Sequence, residues 1–174
     1  EKILDAQHPE SNRHNLPAHD EMLFIIIHQT YELWFKQILH EIDATIKWLK
    51  EGRMFRVNHS LRAVIGIEKV LVTQIHILES MAQIGFLEFR DKLNPASGFQ
   101  SMQFRELEFA SGAKDEKILA TFKHDEFAFE RLTRRFAENS LADSFWQLDK
   151  DSTLFVTNQL LLKRDLDWNN AYFK

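Results

Sequence analysis

His28 stands in a stretch that is apolar almost throughout, one helical turn after Phe24 and one turn before Glu32. Each nitrogen of an imidazole in such a setting needs a partner. Two uses are open to it: a buried histidine bonded to backbone or water, or a histidine facing an apolar pocket that holds a ligand. A second pairing lies in Phe86-Leu87-Glu88-Phe89-Arg90. On a helical turn Phe86 and Arg90 are i, i+4 neighbours with Cβ atoms about 5–6 Å apart, so a ring and a guanidinium face the same way. That pairing suits an aromatic amino acid, its carboxylate held by two parallel N–H bonds; a surface salt bridge is the ordinary alternative. Ser97-Gly98 lets backbone approach a ligand because glycine has no Cβ, although by residue type alone it is a turn with a cap. Arg105 is a further cation, with Glu106 and Glu108 at hand as ordinary ion-pair partners.

These side chains need helices to position them. From Glu21 no Gly or Pro interrupts the chain before Gly52. Leu23, Ile27, Thr30, Trp34, Ile38, Ile42 and Thr45 form one helical stripe, and Phe24, Tyr31, Phe35 and Leu39 a second. A helix apolar on two faces is expected to be buried on both, with Asp20 as its cap and Glu21 in its first turn. The apolar run from Met22 to Ile27 is far below the roughly 18 residues that span a bilayer, so this is a core helix rather than a membrane anchor. A second helix is expected from about Asn58 to Gln83, capped by Asn58 or Ser60, stopped by Gly85 and packed antiparallel to the first. His59 and His76 fall on its surface or between helices. Phe99 to Ser111 forms the next, stopped by Gly112. Two or three amphipathic helices follow between Asp115 and Gln147, with Phe127, Leu132, Phe136, Leu141, Phe145 and Trp146 inward. The fold class is therefore all-α, a helical bundle around one long two-faced helix. Residues 1–147 form its domain, 1–18 an N-terminal arm, and 148–174 a tail with an apolar stretch at Leu154 to Leu162.

Composition narrows the function. The 174 residues include 44% hydrophobic residues and 15 Phe but only 5 Gly and 3 Pro, enough for a real helical core. A net charge of −4, with a pI near 6.1 and no basic run beyond Arg134-Arg135, leaves no footprint for nucleic acid. The absence of cysteine excludes disulfides and thiolate ligation of a metal. No HExxH, P-loop, GxGxxG or GxSxG is present, and no Glu has a His three residues on, which argues against a di-iron bundle. No signal peptide is visible, so the expected compartment is the cytoplasm.

The stretch HDEMLFIIIHQTYELWFKQILHEID, His19 to Asp43, closely resembles the signature of tryptophan 2,3-dioxygenases, haem enzymes that open the indole ring of L-tryptophan with O2. The likeness continues through Lys2 to Gln7, Gly85 to Asp91 and Pro95 to Arg105, and fades after about Gln147. It implies a haem b cofactor, L-tryptophan and O2 as substrates, N-formyl-L-kynurenine as product at the head of the kynurenine route, and a homotetramer built as a dimer of dimers. It also implies roles. His28 is the catalytic residue, accepting a hydrogen bond from the indole N–H. Phe24, Phe86, Arg90, Ser97 and Gly98 bind substrate with it, Arg90 on the carboxylate. Ser97, Gly98 and Arg105 border the cofactor. The family's proximal ligand, a histidine near the C-terminus, has no counterpart here, since all eight His precede Gln147 and none has that context. No metal ligand is assigned, and the chain is expected to be an incomplete copy of a longer protein. Two other readings remain: a helical binding or assembly module without catalysis, and a broader indoleamine dioxygenase.

Overall fold

A computed structural model of the chain describes residues 2–94 and 100–148, and within them every regular element is helical. The organising element is the helix α2, Glu21–Lys50, whose 30 residues extend about 45 Å. After a three-residue link it is followed by α3, Met54–Glu79. The cross-links between them run in opposite register: Ser60 Oγ bonds the Glu41 carbonyl, Tyr31 Oη bonds the Leu71 carbonyl and Gln74 reaches Thr30 Oγ1. The pair is thus the expected antiparallel hairpin, and Ile27, Tyr31, Phe35, Ile38, Leu39, Ile42 and Leu49 form the main core with Val57, Val64 and Leu71. Burial on both stripes holds from Tyr31 onward. At the beginning of α2 only Ile27 of these stripes is buried, while Leu23 and Phe24 are half-buried and His28 is exposed.

The remaining helices pack around this hairpin. The first, α1, is the single turn Glu10–Arg13 within the N-terminal arm, and it lies against α2. Gln29 donates to the Ala6 carbonyl, Gln7 donates to Gln29, and the fully buried Glu21 carboxylate accepts from the Glu10 and Ser11 amides at 2.8 and 3.0 Å. Glu21 therefore serves the N-terminus of α1 across ten residues, while Asp20 occupies the cap position of α2 without a side-chain capping bond. After α3 come α4, Gln83–Arg90, and a 3-10 turn at Asp91–Leu93. Then α5, Met102–Ser111, opens on Ser101, whose Oγ accepts from the Phe104 amide, and closes at Gly112 with φ 121°. Its packing on α2 includes the rings of Phe104 and Phe35, centroids 5.5 Å apart. Finally α6, Glu116–Thr121, α7, Glu126–Ala137, and α8, Leu141–Leu148, complete the bundle. A second core of Phe109, Phe122, Ala128 and Leu132 joins α5, α6 and α7.

Four expectations need correction. α3 starts at Met54, not at Asn58, and Ser60 is buried against α2 instead of capping. The helix ends at Glu79, and Gly85 lies inside α4 instead of terminating anything. Phe127 and Trp146 are 68% and 57% exposed, because the inward positions beside them belong to Ala128 and Phe145. Asp20 does not cap with its side chain. The stretch Leu154 to Leu162 lies outside the described residues.

Candidate functional site

Four of the side chains singled out in the sequence meet at the start of α2. Phe24 and His28 are stacked one turn apart, ring centroids 4.0 Å apart. Phe24 also meets Phe86 of α4 at 6.0 Å, and the Arg90 guanidinium lies over the Phe86 ring, 5.6 Å from its centroid. The series His28, Phe24, Phe86, Arg90 is thus contiguous, with a helix from each of two segments contributing two members. His28 and Arg90 are exposed at its ends, and the rings between them are half-buried.

Close approach of the two helices makes this possible. Gly85 is buried, and a Cβ built on it would lie 2.1 Å from Asp20 Oδ2, so only glycine admits the carboxylate of Asp20 against α4. Beneath the cluster lies Phe89, fully buried, edge-on to Phe86 at 5.4 Å and to Phe24 at the same distance. Neither residue is marked for the site by sequence pattern alone. The one signal for Phe89 is its place three residues after Phe86; Gly85 reads as a terminator.

The His28 ring has a defined orientation. Its Nδ1 is 2.7 Å from the Phe24 carbonyl oxygen. A carbonyl can only accept, so Nδ1 carries the proton, and in the neutral ring Nε2 is left with an open lone pair. The site therefore presents one hydrogen-bond acceptor, an aromatic wall and one guanidinium, a set suited to a flat aromatic molecule that carries a donor at one end and an anion at the other. His59 is on the surface, as is His76 with Nδ1 3.0 Å from Glu79, as the sequence suggested. Arg105 is paired with Glu108 at 2.7 Å and lies over Phe104, the ordinary ion pair of the two alternatives, while Glu106 turns to Arg131 and Arg135. Ser97 and Gly98 lie outside the described residues.

The class that these observations define is an all-α protein in which a histidine, two aromatic rings and an arginine from α2 and α4 form one contiguous series. The chain belongs to the tryptophan 2,3-dioxygenase family: the family described as "Tryptophan 2,3-dioxygenase" matches residues 1–151. It is 53% identical over 149 residues to a tryptophan 2,3-dioxygenase of a Nocardioides species, covering 83% of this chain and 55% of that one. Similarity to the enzyme of Herpetosiphon aurantiacus is 47% over 145 residues, 83% of this chain and 54% of the other. For Aedes aegypti it is 44% over 155 residues, 82% and 39%. The chain thus spans about half the length of these two bacterial relatives.

Proposed function

We propose that this chain forms the substrate-binding part of a haem-dependent dioxygenase that inserts O2 across the indole C2–C3 bond of L-tryptophan to give N-formyl-L-kynurenine, the first step of tryptophan catabolism by the kynurenine route. The observation that carries the reading is the oriented His28 ring. With Nδ1 donating to Phe24, Nε2 accepts the indole N–H, and the ring of the substrate lies along Phe24 and Phe86. Arg90, over Phe86, takes the carboxylate through two N–H bonds. Indole N–H is so weak an acid that its full removal by imidazole before reaction is costly; His28 orients the ring and manages its proton. The half-buried rings of Phe24 and Phe86 shield the indole face from water, while Arg90 at the edge remains exposed.

Haem b, when bound, supplies the ferrous iron that activates O2. The described residues suit one side of that group: an aromatic wall and an imidazole whose free nitrogen is not otherwise engaged. Among the described residues no cluster of metal-ligating side chains is present, and Arg105 would have to share its guanidinium between Glu108 and a propionate. Ser97 and Gly98 complete the proposed substrate and cofactor contacts. The proposal extends to a homotetramer, a dimer of dimers, in the cytoplasm; among the described residues no single helix is long and apolar enough to cross a membrane.

The test is the full-length protein with haem. A Soret band and conversion of L-tryptophan to N-formyl-L-kynurenine are expected, with His28→Ala retaining haem and losing most turnover. A full-length protein with neither property would be a helical binding module instead. Loss of haem in His28→Ala would instead mean that His28 helps to hold the haem, and would remove its assignment to the indole nitrogen.

A further inference from the structure

Glu32, one turn beyond His28 on α2, has no part in the site just described, yet both its carboxylate oxygens and its backbone carbonyl are engaged by one neighbouring turn. Ser101 Oγ donates to Glu32 Oε1 at 2.6 Å, and Gln103 Nε2 donates to Glu32 Oε2 at 2.7 Å and to the Glu32 carbonyl at 3.0 Å. Ser101 is at the same time the cap of α5, accepting from the Phe104 amide at 3.1 Å. A carboxylate at this place also lies against the positive end of the α5 dipole. The two helices that flank His28 are therefore fastened to α2 on either side of it: α4 by Gly85 against Asp20 with Phe86 and Phe89 against Phe24, and α5 by Glu32 with Phe104 against Phe35.

We propose that Glu32 is a positioning residue for the site, its carboxylate setting the first turn of α5 relative to the turn of α2 that carries His28. This rests on the reading of the site as the L-tryptophan pocket. The core contacts of α5 with α2 hold its body, and the Glu32 carboxylate is what fixes its first turn, so that turn is sensitive to a weaker acceptor there. The isosteric Glu32→Gln removes the charge without a change of volume: with its oxygen toward Gln103 and its NH2 toward the Ser101 hydroxyl, which can accept, both charge-assisted contacts become weaker neutral ones. The same helix supplies its own control. Glu41 and Ser60 make a similar carboxylate–hydroxyl joint between α2 and α3, thirteen residues from His28, or about 20 Å along the axis.

The experiment compares Glu32→Gln, Glu41→Gln, Ser101→Ala and Ser101→Thr in the full-length haem protein. It reads kcat and KM for L-tryptophan, Tm, and amide hydrogen exchange across residues 102–109. Glu32→Gln and Ser101→Ala are expected to raise KM by about tenfold with kcat within about twofold, and to speed exchange in the first turn of α5. Ser101→Thr, which keeps the hydroxyl, should behave as the native protein, and Glu41→Gln should lower Tm and leave KM and that exchange unchanged. Unaltered exchange at α5 in Glu32→Gln overturns the proposal whatever the kinetics. Equal KM changes in Glu32→Gln and Glu41→Gln overturn it as well, since the effect would then be general loosening. Native protein without turnover would instead remove the tryptophan reading, and the exchange data would still decide whether Glu32 holds α5.

Discussion

At the scale of single residues, the site rests on two contacts a variant can separate. Arg90 is the guanidinium over Phe86. A charge-assisted hydrogen bond contributes about 1.5–3 kcal/mol, so Arg90→Leu is expected to raise KM for L-tryptophan by about 10- to 150-fold, measured by steady-state kinetics. An unchanged KM would remove the carboxylate clamp. His28 is tested from the substrate's side. A 1-methyl tryptophan has no N–H to offer, so it should bind more weakly to the native pocket than to the His28→Ala pocket, where the extra methyl has space and no acceptor is left unmet. Equal binding to both would mean Nε2 does not face the indole nitrogen. The pairings were legible in the sequence because Phe24 with His28, and Phe86 with Arg90, are i, i+4 neighbours, and helical geometry alone puts each pair on one face; the proposed roles come from the resemblance. What no periodicity shows is that the two faces meet. That they share one pocket is what the resemblance implies, through His19 to Asp43 for the first pair and Gly85 to Asp91 for the second.

Helices raise a different question, namely what lets them approach. The α2–α4 contact depends on Gly85, whose built Cβ lies 2.1 Å from Asp20 Oδ2 but 3.5 Å from Asp20 Cβ. Gly85→Ala is therefore expected to swing the Asp20 carboxylate aside, with a small loss of Tm and a modest rise in KM. Asp20→Ala in the same chain should restore most of both, because the remaining Cβ–Cβ separation is ordinary contact. Thermal melts and kinetics of the single and double variants check this, and a double variant no better than Gly85→Ala alone would show that the glycine serves some other purpose. Gly85 was misread in the sequence for the same reason it matters: a glycine needed for close packing and one that stops a helix are the same letter.

The start of α8 is a second case at this scale. Ser140 and Asp143 cap each other's amides, and bonds from Ser140, with Lys114 beyond them, hold the Asp143 carboxyl below its ordinary pKa of 3.8. A depressed folded pKa contributes stability that is present above the unfolded value and is lost as pH falls through the folded one. Asp143→Asn should thus be less stable than the native protein near neutral pH and converge with it in acid, read as urea midpoints from about pH 7 to about pH 2. A constant difference would mean the charge is irrelevant.

Across the whole molecule, the sequence conveyed an all-α bundle and its antiparallel hairpin because long stripes and a short link after Gly52 leave few alternatives. It did not convey which of two adjacent apolar residues points inward, as at Phe127 and Ala128, or where a lone carboxylate finds its cation. Glu106 shows the second limit. Beside Arg105 it reads as a local partner, yet it is 2% exposed and lies 2.7 Å from Arg131 and 3.2 Å from Arg135 of α7. Arg135 reaches on to Asp43 of α2 at 2.6 Å, so one arginine ties three helices separated by up to 92 residues of chain. Burial opposes the charge on Arg135, but the Asp43 hydrogen bond and the charges of Asp43, Glu106 and Glu138 outweigh it and raise its pKa. Removing Glu106 leaves two guanidiniums without their buried partner, whereas removing the half-exposed Asp43 carboxylate leaves Arg135 still paired with Glu106 and Glu138. Glu106→Gln is accordingly expected to destabilise the full-length protein by about 3 kcal/mol and Asp43→Asn by under about 1 kcal/mol. Urea unfolding monitored by circular dichroism separates the two, and equal losses would show that the surface end of the network, not its buried centre, holds α2, α5 and α7 together.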